Sequence, residues 1–222
     1  MKAEQVIIEI AYHHPEISQY LFCTYEPLLY EMKHGNEEID FTSGPKKTFW
    51  VRRRELMRAG KNPRGFFVSL EQKHTTTEFQ ALGITSRIRS HNGQSLHIPL
   101  IDFCCEKPDT DGPREIEERT HKNLETIAIT LESLGLKKGY IMDSGNSYHF
   151  IGDEPMPWTT YKPLLQKMKQ YAVIGERWPE HQLTYKFAVL RVLACPDAGK
   201  DFEPELVERF ENNQMMLPFQ IR

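Results

Sequence analysis

Three short stretches of this chain carry the side chains best suited to phosphate and metal chemistry. "LHIPLIDFCCE" contains Asp102 and Glu106, "SGNSYHF" contains Ser144, Gly145, Ser147 and His149, and "VLRVLACPDAGK" contains Arg191 and Lys200. Nucleotidyl transfer needs carboxylates to hold two divalent cations around the attacking and leaving oxygens, and donor or cationic groups to steady a triphosphate. A pair of strands bearing Asp102 and His149 supplies one group of each kind. Gly145 fits such a site because a missing side chain lets backbone N–H groups approach phosphate oxygens.

The elements that must position these groups are clearest in the second half. "SLHIPLIDFCCE" is a nearly continuous apolar run and reads as one strand buried on both faces. "REIEERTHKNLETIAITLESLGLKKG" places Leu124, Ile127, Ala128, Leu131 and Leu134 at helical spacing, after Pro113 and ending at Gly135 or Gly139. Tyr140 to Ile151 reads as a hairpin broken at Ser-Gly-Asn-Ser, which puts His149 on a strand close to the turn. A second amphipathic helix follows in "WTTYKPLLQKMKQYAV", then a strand in "YKFAVLRVLACP". Strand, helix, hairpin, helix, strand predicts an α+β fold with helices on a mostly antiparallel sheet. In the first 90 residues, "EQVIIEIAY" and "ISQYLFCTYEPLLYEM" are compatible with either helix or strand, and "RGFFVSLEQ" reads as a strand. With 222 residues and no long linker, one domain is expected. It comprises an α/β part over 1–90, a motif-bearing core over 91–202 and a tail over 203–222.

Taken in order, the three stretches resemble the signature motifs of the archaeo-eukaryotic primase superfamily, the primase-polymerases. Those motifs are an apolar strand with an Asp-x-Asp pair, a Ser-Gly-x-x-x-His strand, and an Arg in an "LRVPG…K"-like strand near a further acidic residue. The resemblance spans about Ser95 to Lys200, and "SGNSYHF" is its most specific part. It implies a primase-like core whose RRM-like mixed or antiparallel sheet is flanked by helices. It also implies that Ser144, Gly145, Ser147 and His149 meet a nucleoside triphosphate, with Arg191 and Lys200 beside them, and that carboxylates hold Mg2+ or Mn2+.

The chain departs from that pattern at two acidic positions. Cys104 stands where the second carboxylate of the first motif belongs, and a neutral thiol is a poor ligand for a hard cation. Glu106 has the same parity as Asp102 but lies about 13 Å away on an ideal strand. The third position, expected on a strand shortly before Arg191, is offered only by Glu180. A metal set of Asp102, Glu106 and Glu180, with Asp102, Glu106 and His149 as catalytic residues, is therefore the most the sequence provides. The expected function is nucleotide or nucleic-acid binding with weak or lost nucleotidyl transfer. The alternatives are an active metal-dependent primase or nucleotidyltransferase, and a non-catalytic protein in which His149 and Asp102 merely hold the fold together.

The formal charge of -3 gives no global case for a nucleic-acid partner. A local one exists in "KKTFWVRRRELMRAGKNPR", which mixes eight Lys and Arg with two aromatics. Lys46, Lys47, Trp50, Arg52, Arg53 and Arg54 are its candidates for phosphate contacts and base stacking on a single or template strand; a solvated helix face is the plainer reading. The four cysteines lack metal-knuckle or disulfide spacing. Adjacent His13 and His14 do not form HExxH, and lone His97 lacks the partner a replication-initiator nuclease needs. No apolar run approaches the ~20 residues of a membrane span, and a soluble, cytoplasmic protein is expected.

Overall fold

The structure, a computed structural model, describes residues 1–26, 45–105, 113–175 and 177–212. It is an α+β fold built on two antiparallel sheets. The first sheet has the order β2-β1-β3-β4, formed by β1 (Ile17–Tyr25), β2 (Lys47–Arg52), β3 (Ala81–Ser90) and β4 (Ser95–His97); the short β8 (Val189–Arg191) also pairs with β3. The second has the order β5-β7-β6-β9, formed by β5 (Leu100–Phe103), β6 (Lys138–Asp143), β7 (Tyr148–Gly152) and β9 (Glu205–Glu211).

The apolar run at 95–105 is therefore two strands in different sheets, a correction to the single buried strand its composition suggests. Ile98 makes the last bond to the first sheet, donating its N–H to the Ser86 carbonyl, and the Pro99 carbonyl makes the first to the second, accepting from Gly152 N–H. Proline has no N–H to extend a ladder, so the chain changes sheet there.

Six helices flank the sheets among the described residues. The first, α1 (Ala3–His13), buries Ala3, Val6, Ile7, Ile10 and Ala11, the stripe that a 3.6-residue period demands. It is followed by α2 (Arg53–Ala59) and α3 (Pro63–His74). The latter overturns the strand expected at "RGFFVSLEQ". Asn62 caps it by accepting the Gly65 N–H at 3.1 Å, and Pro63 occupies its first turn, so end signals outweigh the β propensity of Phe66, Phe67 and Val68. The helices expected later in the chain are α4 (Pro113–Ser133) and α5 (Trp158–Met168), and α6 (Arg177–Tyr185) follows. Tyr161 of α5 pins the start of β5, its hydroxyl lying 3.4 Å from the Leu100 N–H.

One apolar core runs through both sheets, uniting Phe22 and Ile84 of the first with Leu100 and Phe150 of the second and Leu165 of α5. Burying each such side chain stabilises the fold by about 1.5–3 kcal/mol. The start of the expected tail is part of this body, because β9 pairs with β6; residues 213–222 lie outside those described. No helix of the described residues is long and apolar enough to cross a membrane.

Candidate functional site

Asp102 and His149 are direct cross-strand partners in the β5–β7 ladder, so their side chains share one face of the second sheet. His149 Nε2 lies 3.5 Å from Asp102 Oδ1. The turn leading to His149 is built by its own polar residues. Asp143 Oδ1 accepts the Gly145 N–H at 2.7 Å, and Ser144 N–H donates to the Ser147 carbonyl at 3.0 Å. Gly145 has φ +100°, a conformation that side chains resist, and a Cβ there would come within 2.9 Å of Phe202. Ser147 clips the turn to β5, donating its hydroxyl to the Phe103 carbonyl and accepting the Cys105 N–H at 3.1 Å.

Arg191 fastens the turn from the other sheet. Its guanidinium donates to the carbonyls of Leu193 at 3.0 Å, Phe202 at 2.5 Å and Ser144 at 2.8 Å. The result is a cavity of about 350 Å³ where the sheets meet, with Asp102, His149, Ser144, Ser147, Arg191 and Lys200 among its lining residues. Of the phosphate-binding residues expected from the sequence, Gly145 is the one that does not line it; its N–H is already committed to Asp143.

The electrostatics follow from placing two titratable groups beside two cations in a concavity. Burial pushes the Asp102 carboxyl up to about 7, against the pull of Lys200 and Arg191. Its side chain is 43% exposed where it lines the cavity, which moderates the burial without reversing the direction of the shift. The His149 imidazole is driven down to about 3, by burial first and then by Arg191 and Lys200. Burial thus disfavours the charged form of both groups, and the 3.5 Å contact is not held together as an ion pair.

Residues 65–201, well over half of the chain, match the family described as archaeo-eukaryotic primase 1D-like. The chain belongs to this family. No curated protein and no solved structure matches it.

Members of the primase family are usually metal-dependent, and the residues described here do not fit a pair of hard cations. Cys104 lines the cavity beside Asp102, with its thiol donating to the Ile174 carbonyl at 3.4 Å. Glu180 is on α6 rather than on a strand, is bound to Lys169 at 2.7 Å, and is not among the lining residues; its place in the first turn of a helix and its lysine partner take it away from the metal role. Glu106 lies outside the described residues. Among those described, no three His, Cys, Asp or Glu side chains are grouped to hold a metal.

The basic run divides between two elements. Lys47, Trp50 and Arg52 are on β2 and Lys46 just precedes it, whereas Arg53 and Arg54 begin α2. Arg53 donates to the Ala11 carbonyl at 2.7 Å, which ties α2 to α1, and Lys46 pairs with Glu26 at 3.7 Å. Neither segment brings these residues into the cavity lining. What sequence reading missed is the opposite wall, where α6 contributes Trp178, His181 and Gln182. Gln182 is 3% exposed, and its side-chain oxygen has no partner. No local signal in the sequence marks them as cavity residues; only the fold brings α6 to the same cavity as β5.

Proposed function

We propose that the cavity binds a nucleoside triphosphate and that nucleotidyl transfer is weak or lost. The observation that carries this reading is the Asp102–His149 pair beside Arg191 and Lys200, with Cys104 where a second carboxylate is required. The phosphates lie toward Lys200 and the His149 imidazole, beside the turn that the Ser147 hydroxyl holds in place. Arg191 adds positive potential while its donors hold the turn. A neutral imidazole both donates and accepts, so His149 meets a phosphate oxygen without a buried charge of its own. Two divalent cations around a triphosphate need several carboxylate oxygens, and a single Asp102 does not supply them.

Calorimetric titration with nucleoside triphosphates, with and without Mg2+ or Mn2+, tests binding; extension assays on primed and unprimed templates test transfer. Binding that Lys200→Ala and His149→Ala abolish, without incorporation, supports the reading. Robust incorporation lost in Asp102→Ala overturns the second half of it and makes the chain an active primase. No binding by the wild type overturns the first half.

A further inference from the structure

One wall of the cavity is made of residues that neither the motifs nor the phosphate contacts use. Trp178, His181 and Gln182 are spaced i, i+3 and i+4 on α6, which puts them on one helix face, and all three line the cavity. Glu180 and Thr184 are exposed on the other side of the helix. Cys104, just past the end of β5, fixes the approach to this wall. Its N–H donates to the Val173 carbonyl at 2.7 Å and its thiol to the Ile174 carbonyl at 3.4 Å, so the strand that carries Asp102 is bonded to the chain just ahead of α6.

Gln182 is the feature that asks for a ligand. Its side chain is buried, its Nε2 lies 3.5 Å from His181 Nδ1, and its Oε1 has no partner. A buried acceptor nearly always has one, because stripping it of water without replacing the bond is costly. Burial lowers the pKa of His181, so at neutral pH its ring nitrogen accepts from the amide and leaves Oε1 as the open acceptor. Trp178 is only partly buried, which leaves indole surface at the same wall.

We infer that this face of α6 reads the base of the bound nucleotide and makes the cavity selective for adenine, with Gln182 as the specificity-determining residue. The inference rests on the nucleotide reading above and adds the choice of base to it. A carboxamide presents an acceptor and a donor side by side. Adenine is the one base that answers with a donor beside an acceptor on both of its edges, N6 with N7 and N6 with N1. Guanine N7 and O6 both accept, and the outer edges of cytosine and uracil carry one polar group each. Stacking on Trp178 holds any base by its π-face, so the edge contact at Gln182 decides which base stays. A template-directed polymerase must admit all four bases at its nucleotide site. A wall that chooses one belongs to a site that holds a nucleotide as a ligand rather than as the next monomer, in keeping with Cys104 in place of a metal-binding carboxylate.

The test is calorimetric titration of the full chain with ATP, GTP, CTP and UTP, with purine riboside triphosphate, which lacks the 6-amino group, and with inorganic tripolyphosphate. ATP should bind roughly tenfold tighter than the other four nucleotides, the scale of one good two-point base contact. Gln182→Met should level the five while leaving tripolyphosphate binding unchanged. Replacing an unpaired buried amide by an apolar side chain of similar shape is close to neutral for folding, so this variant should keep its melting temperature. Trp178→Ala should weaken all five nucleotides alike and leave tripolyphosphate unaffected. Equal affinity for the four bases in the wild type would overturn the inference and leave the cavity reading standing. So would a preference for another base, or an ATP preference that persists in Gln182→Met and does not need the 6-amino group. No nucleotide bound by the wild type would remove the cavity reading and the base selectivity together.

Discussion

Among the described residues, two places bring histidine against aspartate, and they do opposite things. At the cavity, His149 meets Asp102 among cations, and both groups are driven toward neutrality. At the edge of the second sheet, Asp153 is shared by two histidines from the end of α1, taking His13 Nδ1 at 2.9 Å and His14 Nε2 at 3.0 Å. Burial would lower the pKa of His14, but Asp153 and Glu16 together outweigh it and raise the value. The cleft beside this second cluster is larger, about 690 Å³, yet His13, His14 and Asp153 on its wall bond one another and Arg209 is paired with Glu9. Volume therefore does not choose the site. What distinguishes the cavity is that Asp102, His149, Arg191 and Lys200 converge on one concavity from both sheets, the setting in which a polar ligand is recognised.

The largest expected effect comes from breaking the cavity side at Arg191. Arg191→Ala strands three carbonyls that a buried guanidinium satisfies, so denaturant unfolding should show a loss of about 3 kcal/mol or more. Nucleotide binding should fall with it, because the turn carrying Ser144 and Ser147 loses its tie to the other sheet. Arg191→Lys should not rescue either property, since a single ammonium cannot span three acceptors in the same geometry. Full stability in the alanine variant would show that the turn is held by Asp143 and Ser147 alone.

Cys104→Asp sharpens the comparison by adding the missing carboxylate. Ligand charge count tunes affinity for oxygen-seeking cations over decades, so Mn2+ affinity should rise by about one order of magnitude. The measurement is a Mn2+ titration, followed by an extension assay on the same variant. An unchanged affinity would place the loss of metal binding elsewhere, in the unfilled third acidic position.

How much of this was legible beforehand depended on how local the cause was. The Asp102–His149 pairing was readable because strand parity fixes the face and the Ser-Gly turn fixes the order. The Ser147 clip and the Arg191 ties were not, since each joins segments far apart in sequence. The change of sheet at Pro99 was written in one residue but masked by the apolar run around it. For α3, the caps Asn62 and Pro63 were visible, and the β-prone Phe66, Phe67 and Val68 were given more weight than they had. Trp50 stood out in a basic run, but only the β1–β2 and β1–β3 registers bring Arg89 to it, and the start of α2 turns Arg53 toward α1.

A smaller effect is expected in the pH dependence of stability. His149 has its folded pKa below the unfolded value, so between about 3 and its ordinary value near 6.5 the unfolded chain binds more protons and stability rises with pH. Asp102 has its folded pKa raised to about 7, so between its ordinary value near 3.8 and about 7 stability falls with pH. The two slopes oppose each other across the shared window. Asp102→Asn should unmask the rise and His149→Gln the fall, as read from melting temperatures between pH 4 and pH 7. Parallel profiles for both variants would mean that the groups titrate as exposed ones do.

The smallest effect belongs to the edge cluster. Because the folded pKa of His14 is raised, its contribution is fully present below the unfolded value near 6.5 and is lost as pH rises through the folded value. His14→Gln should therefore cost about 1 kcal/mol at pH 5.5, in line with a partly exposed pair, and much less at pH 9, where the imidazole of the wild type is neutral. The charges facing this contact are Glu9 and Arg209, which pair with each other, together with His13, Glu16 and Asp153, so Asp153→Asn should give the same window from the other partner. The sign separates the two clusters: lowering the pH from 7 toward 5.5 strengthens the edge contact, whereas at the cavity the slopes of His149 and Asp102 oppose each other. A His14→Gln penalty that grows with pH would show that burial, and not the two carboxylates, governs His14, and the contrast between the two clusters would collapse.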